Sequence, residues 1–131
     1  MHEFSVRTKR RIEMIDITST VTDAVRESGT ERGIAVVFVP HTTAAVTINE
    51  NADPDVPVDI LGKLAELAPE RAAWRHVEGN SDAHVKSTLV GASATVIVEG
   101  GRLVLGTWQS VFFCEFDGPR SRRVYVTVIP A

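Results

Sequence analysis

The residues best suited to chemistry begin between Pro40 and Asp59, in PHTTAAVTINENADPDVPVD. His41, Thr42 and Thr43 lead into an apolar, β-branched run, Ala44 to Ile48. Asn49, Glu50, Asn51, Asp53, Asp55 and Asp59 then follow within eleven residues. Carboxylates at that density repel one another, and a hard cation or a cationic ligand relieves the repulsion. Two divalent-metal readings are open. His41, His84 and one carboxylate make a borderline-metal site, such as zinc, with a position left for water. Alternatively Glu50, Asp53, Asp55 and Asp59 hold Mg²⁺ bridged to a phosphate. The plainer reading has Asp53 or Asp55 capping a helix, where its dipole favours acids, and the others solvated.

Further groups lie downstream. In SDAHVKSTLVG, His84, Ser87 and Thr88 stand at i, i+3 and i+4 and share one helix face, with Val85 and Leu89 expected toward the core. Lys86 and the helix N-terminus at Ser81 to Ala83 offer donors for phosphate oxygens. In EFDGPRSRR, Arg120 and Arg122 share a strand face and form a fork-donor surface for phosphate or carboxylate. The alternative is ion pairing with Glu115 and Asp117 across the hairpin. Trp108 and Gln109 add an indole and an amide beside Gly106. Cys114, among phenylalanines, reads as a buried, inert thiol. Lys9-Arg10-Arg11 reads as a solvated turn, with a phosphate patch as the alternative. No HExxH, CxxC, P-loop, GxSxG or Rossmann fingerprint occurs.

Positioning these groups requires a mixed scaffold. Alternation over residues 3 to 8, then Ile12, Met14 and Ile15, predicts a hairpin or strand pair at the start. A short amphipathic helix is expected over roughly residues 19 to 28. Gly33 to Val39 then predicts a strand covered on both faces. In the strand 42 to 49, Ala44, Val46 and Ile48 face the core. The opposite face, Thr43, Ala45, Thr47 and Asn49, suits a shallow pocket or another subunit. A helix begins at Asp55 or Pro57 and stops at Pro69. Strands follow at Ala94 to Val98, Leu103 to Leu105, Thr107 to Phe116 and Val124 to Ile129. The strand 107 to 116 is apolar on both faces, so a second layer must cover it, with oligomerisation the favoured source.

At 131 residues with 44% hydrophobic and 24% charged residues, a single domain, 1 to 131, with its own core is expected. Net charge −3 supplies no general attraction to nucleic acid or anionic membrane, and no apolar run approaches a membrane span. One cysteine and no secretory leader pattern predict a cytoplasmic protein.

Taken in order, HTTAAVTINEN, ADPDVPVDI, NSDAHVKSTLVG, GTWQ and EFDGPRSRR resemble the YjbQ-like family, also called the secondary thiamine-phosphate synthase family. The resemblance spans about residues 34 to 128 and is weakest over 70 to 79, which carry Trp74 and His76. It implies an α+β fold of two packed, mainly antiparallel sheets, about seven strands, with two or three short helices, assembled as a homotrimer. It also implies joining a hydroxymethylpyrimidine diphosphate to a thiazole phosphate with release of pyrophosphate. The matching motif positions are His41, Thr42, Asn49, Glu50, Asn51, Asp59, His84, Lys86, Ser87, Trp108, Gln109 and Arg120. On that reading His41, Glu50 and His84 are catalytic. Thr42, Asn49, Asn51, Lys86, Ser87, Trp108, Gln109, Arg120 and Arg122 hold substrate. His41, His84, Glu50 and Asp59 are the candidates for a divalent metal. The alternative is a non-catalytic trimer that binds a metal or a phosphorylated metabolite.

Overall fold

Period-two runs of valine, isoleucine and phenylalanine give eight strands, and three amphipathic or mixed segments give helices. The computed structural model describes residues 1–131. In order they are β1 (His2–Arg7), β2 (Glu13–Asp16), α1 (Thr18–Ser28), β3 (Arg32–Phe38), β4 (Ala44–Glu50) and α2 (Asp55–Leu67). Then come α3 (Ser81–Val90), β5 (Ser93–Glu99), β6 (Arg102–Leu103), β7 (Gln109–Glu115) and β8 (Ser121–Pro130). The strands form a five-stranded sheet, β1-β8-β3-β5-β6, and a three-stranded sheet, β2-β7-β4. Every pairing is antiparallel, so the α+β expectation holds with one strand more.

The main core lies between the sheets. Val6, Val37, Val124 and Val126 of the large sheet meet Val46, Val111 and Phe113 of the small one, with Val21 and Ala24 of α1 closing the layer. Each such side chain, fully buried, contributes about 1.5–3 kcal/mol. A smaller core fills the other side of the small sheet. There Ala45, Phe112, Cys114 and Phe116 lie under Ala83 and Val90 of α3 and Leu61 and Leu64 of α2.

Four expectations need correction. The opening strands are not a hairpin, because β1 pairs with β8 while β2 pairs with β7 in the other sheet. On the second face of β4 and β7, the chain's own helices cover Ala45, Phe112 and Cys114, while Thr47 and Asn49 stay partly or wholly exposed. β3 is open on one side, where Ile34 and Phe38 are 37% and 44% exposed. In α3, Val85 and Leu89 turn outward, whereas Asp82, Ala83 and Lys86 are buried. That inversion follows from a charge pair on the inner face, Asp82 with Lys86 at i,i+4, which satisfies itself out of water.

The turn after β7 depends on Gly118. Any Cβ there would collide with the Arg10 carbonyl and stand 2.8 Å from the Glu115 side chain. Its N–H donates to the Arg11 carbonyl at 2.9 Å, which holds the turn against the β1–β2 connection. No helix is long and apolar enough to cross a membrane.

Candidate functional site

A pocket of about 380 Å³ opens where the β3–β4 connection meets α3. His41, Thr42 and Ala44 line one side, with His84, Ser87, Thr88, Gly91 and Ala92 on the other. Backbone and side-chain bonds lock these elements together. Val39 N–H donates to the Ala92 carbonyl (2.8 Å), Val46 N–H to that of Gly91 (3.1 Å), and Ser87 Oγ to that of Ala44 (3.0 Å).

The hydrogen bonds assign the pocket's polar atoms. His41 Nε2 accepts the Arg123 N–H at 2.9 Å, so the neutral ring carries its proton on Nδ1. Burial lowers the His41 pKa below the ordinary imidazole value, and the neighbouring Arg122 charge lowers it further. His41 is therefore a neutral Nδ1–H donor at neutral pH. Ser87 uses its hydroxyl proton on Ala44, and Thr88 donates to the His84 carbonyl at 3.0 Å. Both therefore offer lone pairs to a ligand. Thr42 is exposed, so its hydroxyl is free to turn either way.

His84 has a neighbour outside the pocket wall. The His76 ring packs edge-on against it, centroids 5.5 Å apart and planes at 86°. His76 Nδ1 is 2.9 Å from Ser81 Oγ, which fixes that imidazole to the first turn of α3.

Two buried charge centres support the pocket walls. Asp82 accepts two bonds from the Arg11 guanidinium (3.2 and 3.0 Å) and one from Lys86 Nζ (2.7 Å). Burial alone would raise its pKa, but these bonds outweigh it and hold the carboxyl below its usual range. Glu115 accepts from Arg122 Nε (2.9 Å) and Nη2, from Thr8 Oγ1 (2.8 Å) and from Asp117 N–H (3.0 Å). Here too burial pushes the pKa up and the Arg122, Asp117 and Thr8 bonds more than reverse it. Arg122 also donates to Thr43 Oγ1 at 2.8 Å. In the second core Cys114 is buried and its pKa is pushed up to about 12, so the thiol is inert.

This geometry separates the sequence-predicted residues. His41, Thr42, His84 and Ser87 share the pocket, joined by Thr88. Lys86 and Arg122 do not reach it as ligands. They are 1% and 5% exposed, and their charges are already matched by Asp82 and Glu115. Arg120 lies outside it, and its guanidinium is directed onto the Asp117 carbonyl and carboxylate at 2.8 and 2.9 Å. Ion pairing with Glu115 and Asp117 is thus the arrangement adopted.

Asn49, Glu50, Asn51, Trp108 and Gln109 gather elsewhere. Glu50 pairs with Gln109 in the β4–β7 ladder, Asn51 N–H donates to the Trp108 carbonyl (2.9 Å), and its side chain donates to Asp16 (2.8 Å). Ala44 and Glu50 are the two ends of β4, so six residues separate this group from the pocket, about 20 Å along an extended strand. Asp59 is exposed on α2.

The divalent-metal assignment does not fit this arrangement. No group of three His, Cys, Asp or Glu side chains converges anywhere in the chain. The one lone-pair nitrogen of His41 is occupied by Arg123 N–H, while Glu50 and Asp59 stand apart from His84.

Thr88 is legible from its helical spacing with His84, although it is not among the positions that match the family motifs. His76 carries no local signal, because a loop residue meets His84 only through tertiary packing.

Two antiparallel sheets flanked by three helices, with an imidazole and hydroxyl pocket at the β3–β4 connection, define the class of protein. The chain belongs to the UPF0047 protein YjbQ-like family, whose model matches residues 2–131. It is 52% identical over 129 residues to a UPF0047 protein of Methanocaldococcus jannaschii, covering 98% of this chain and 94% of that one. It is 54% identical over 125 residues to the UPF0047 protein YugU of Bacillus subtilis, covering 95% of each. Among solved structures, an uncharacterised YjbQ/UPF0047 protein of Clostridium acetobutylicum superposes with a TM-score of 0.97 at 54% identity, covering 98% of this chain and all of that one (100%). A YbjQ-like protein of unknown function from Sulfolobus solfataricus gives 0.95 at 38% identity, covering 99% and 96%.

Proposed function

We propose that the protein is a cytoplasmic enzyme acting on a small phosphorylated molecule, with the His41–His84 pocket as its reaction site. The observation that supports this reading most is the meeting of two imidazoles from separate elements beside three hydroxyls in one pocket. A structural histidine needs no such company. His41 presents Nδ1–H to developing negative charge, and His84, whose ring is not fixed to the backbone, moves the proton. Ser87 and Thr88 orient ligand donors through their lone pairs.

The finer reading follows from the family resemblance. The enzyme joins a hydroxymethylpyrimidine diphosphate to a thiazole phosphate and releases pyrophosphate. Pyrophosphate should then appear only when both substrates are supplied with Mg²⁺ in the buffer, and His84→Ala should remove at least a hundredfold of the rate. Undiminished release by that variant overturns the role of His84. The lack of an available cation inside the pocket favours a second reading, a non-catalytic site that binds a phosphorylated metabolite. Stoichiometric binding without turnover would select it.

The same proposal includes assembly as a homotrimer. The outer face of the large sheet supports it, since Ile34 stands between Ile97 and Ile129 in register and Phe38 beside Tyr125. Ile97 and Ile129 are 59% and 48% exposed, an apolar patch of the kind that subunits cover. Ile97→Asp should reduce the mass measured by sedimentation from trimer toward monomer, and an unchanged mass places the interface elsewhere.

A further inference from the structure

Away from the imidazole pocket, the ends of β1 and β8 enclose a hollow of about 360 Å³ lined by Arg7, Thr8, Lys9, Pro119, Arg120 and Ser121. None of the chain's ion pairs involves Arg7 or Lys9. Arg10, Arg71, Arg75 and Arg102 are unpaired as well. At this hollow, however, Arg7 and Lys9 meet a third cation, Arg120, in a protein of net charge −3, and that concentration of positive charge suits an anion.

We infer that this hollow is a phosphate-binding site, formed by Arg7, Lys9 and Arg120 and separate from the His41–His84 pocket. Its floor is built in advance. The buried Thr8 hydroxyl accepts the Arg120 N–H at 2.7 Å and donates to Glu115 at 2.8 Å. The Glu115 charge beneath is matched by Arg122, so it does not repel an anion above. Asp117 holds the Arg120 guanidinium in place and is itself held by Asn80 Nδ2 at 2.9 Å. Glu13, the first residue of β2, accepts the backbone N–H groups of Lys9 and Arg10 at 2.6 and 2.9 Å, and Arg10 brings a further positive charge.

The charge count fits a phosphate ester. The three lining cations and Arg10, less the Asp117 and Glu13 carboxylates, leave +2, against about −1.5 to −2 on a phosphomonoester at neutral pH. The lining is almost wholly polar or charged, so the hollow would hold the phosphate and not an apolar body. Ser121 at its rim is two residues before Arg123, whose N–H anchors His41, about 7 Å along β8.

Phosphate binding is measured on the purified, assembled protein by calorimetric titration with inorganic phosphate, alongside Arg7→Gln/Lys9→Gln and His84→Ala. Both substituted side chains of the double variant are exposed, so melting curves should match wild type. Saturable binding that weakens with added salt is expected, falling at least tenfold in Arg7→Gln/Lys9→Gln and unchanged in His84→Ala. No saturable binding to wild type, or equal affinity in the double variant, overturns the site. Loss in His84→Ala alone assigns the phosphate to the imidazole pocket and overturns it equally. Because His84 is tested separately, failure here leaves the proposed reaction site standing or falling on its own assay.

Discussion

Glu115→Ala is expected to lower the unfolding free energy by about 3–5 kcal/mol, against roughly 5–15 kcal/mol for a whole domain. Glu115 is fully buried and receives Arg122, Thr8 and the Asp117 N–H. Removing it strands a guanidinium that is only 5% exposed, and a buried charge without its counterion costs more than the pair contributed. Urea unfolding of wild type and variant measures the difference, and a loss below about 1 kcal/mol would show that Arg122 escapes to water. The sign with pH is also fixed. Glu115 titrates below its unfolded value, so its contribution is complete above the ordinary carboxylate range and lost as pH falls through the folded pKa. Wild type should therefore lose more stability than Glu115→Ala on acidification.

The second large effect is expected at Asp82. Asp82→Ala leaves Lys86 buried with no counterion and releases Arg11, so a loss of about 3–5 kcal/mol, or roughly 10–20 °C in melting temperature, is anticipated. Adding Lys86→Met should recover much of it, because an apolar side chain of similar length tolerates the site that a lone ammonium cannot. No recovery would mean that the Arg11 clamp, and not the stranded lysine, dominates. The same variant should reach the pocket. Asp82 fixes the first turn of α3, and that helix carries His84, Ser87 and Thr88. Its carboxyl is also held below the usual range, so this contribution likewise fades as pH falls through the folded value.

Much of the scaffold was legible because local patterns and burial agree in it. Alternation over residues 3 to 8 marked β1, the two faces of β4 were read in the same way, and Pro69 bounded α2. Helical spacing placed His84 and Ser87 on one face, and the motif order pointed to His41 and Thr42. Misreadings arose where a polar residue was assumed to face solvent or substrate. Lys86 and Arg122 look like phosphate ligands in the sequence, yet each occupies an inward position because a carboxylate meets it there. The reverse error put Val85 and Leu89 in the core, since the inner face of α3 had already been taken by the Asp82–Lys86 pair.

By itself the sequence determined most strands and helices to within a few residues, and the family, because these depend on near neighbours or on motifs read in order. The tertiary structure alone decided that β1 and β2 part into different sheets, that Glu50 lies a strand's length from His41, and that His76 packs edge-on against His84. It also decided that two of the unpaired cations, Arg7 and Lys9, meet Arg120 at one hollow. Some charges meet only across the fold, as Arg123 meets Glu3 120 residues away and Arg11 meets Asp82 71 residues away, and no local pattern encodes those distances.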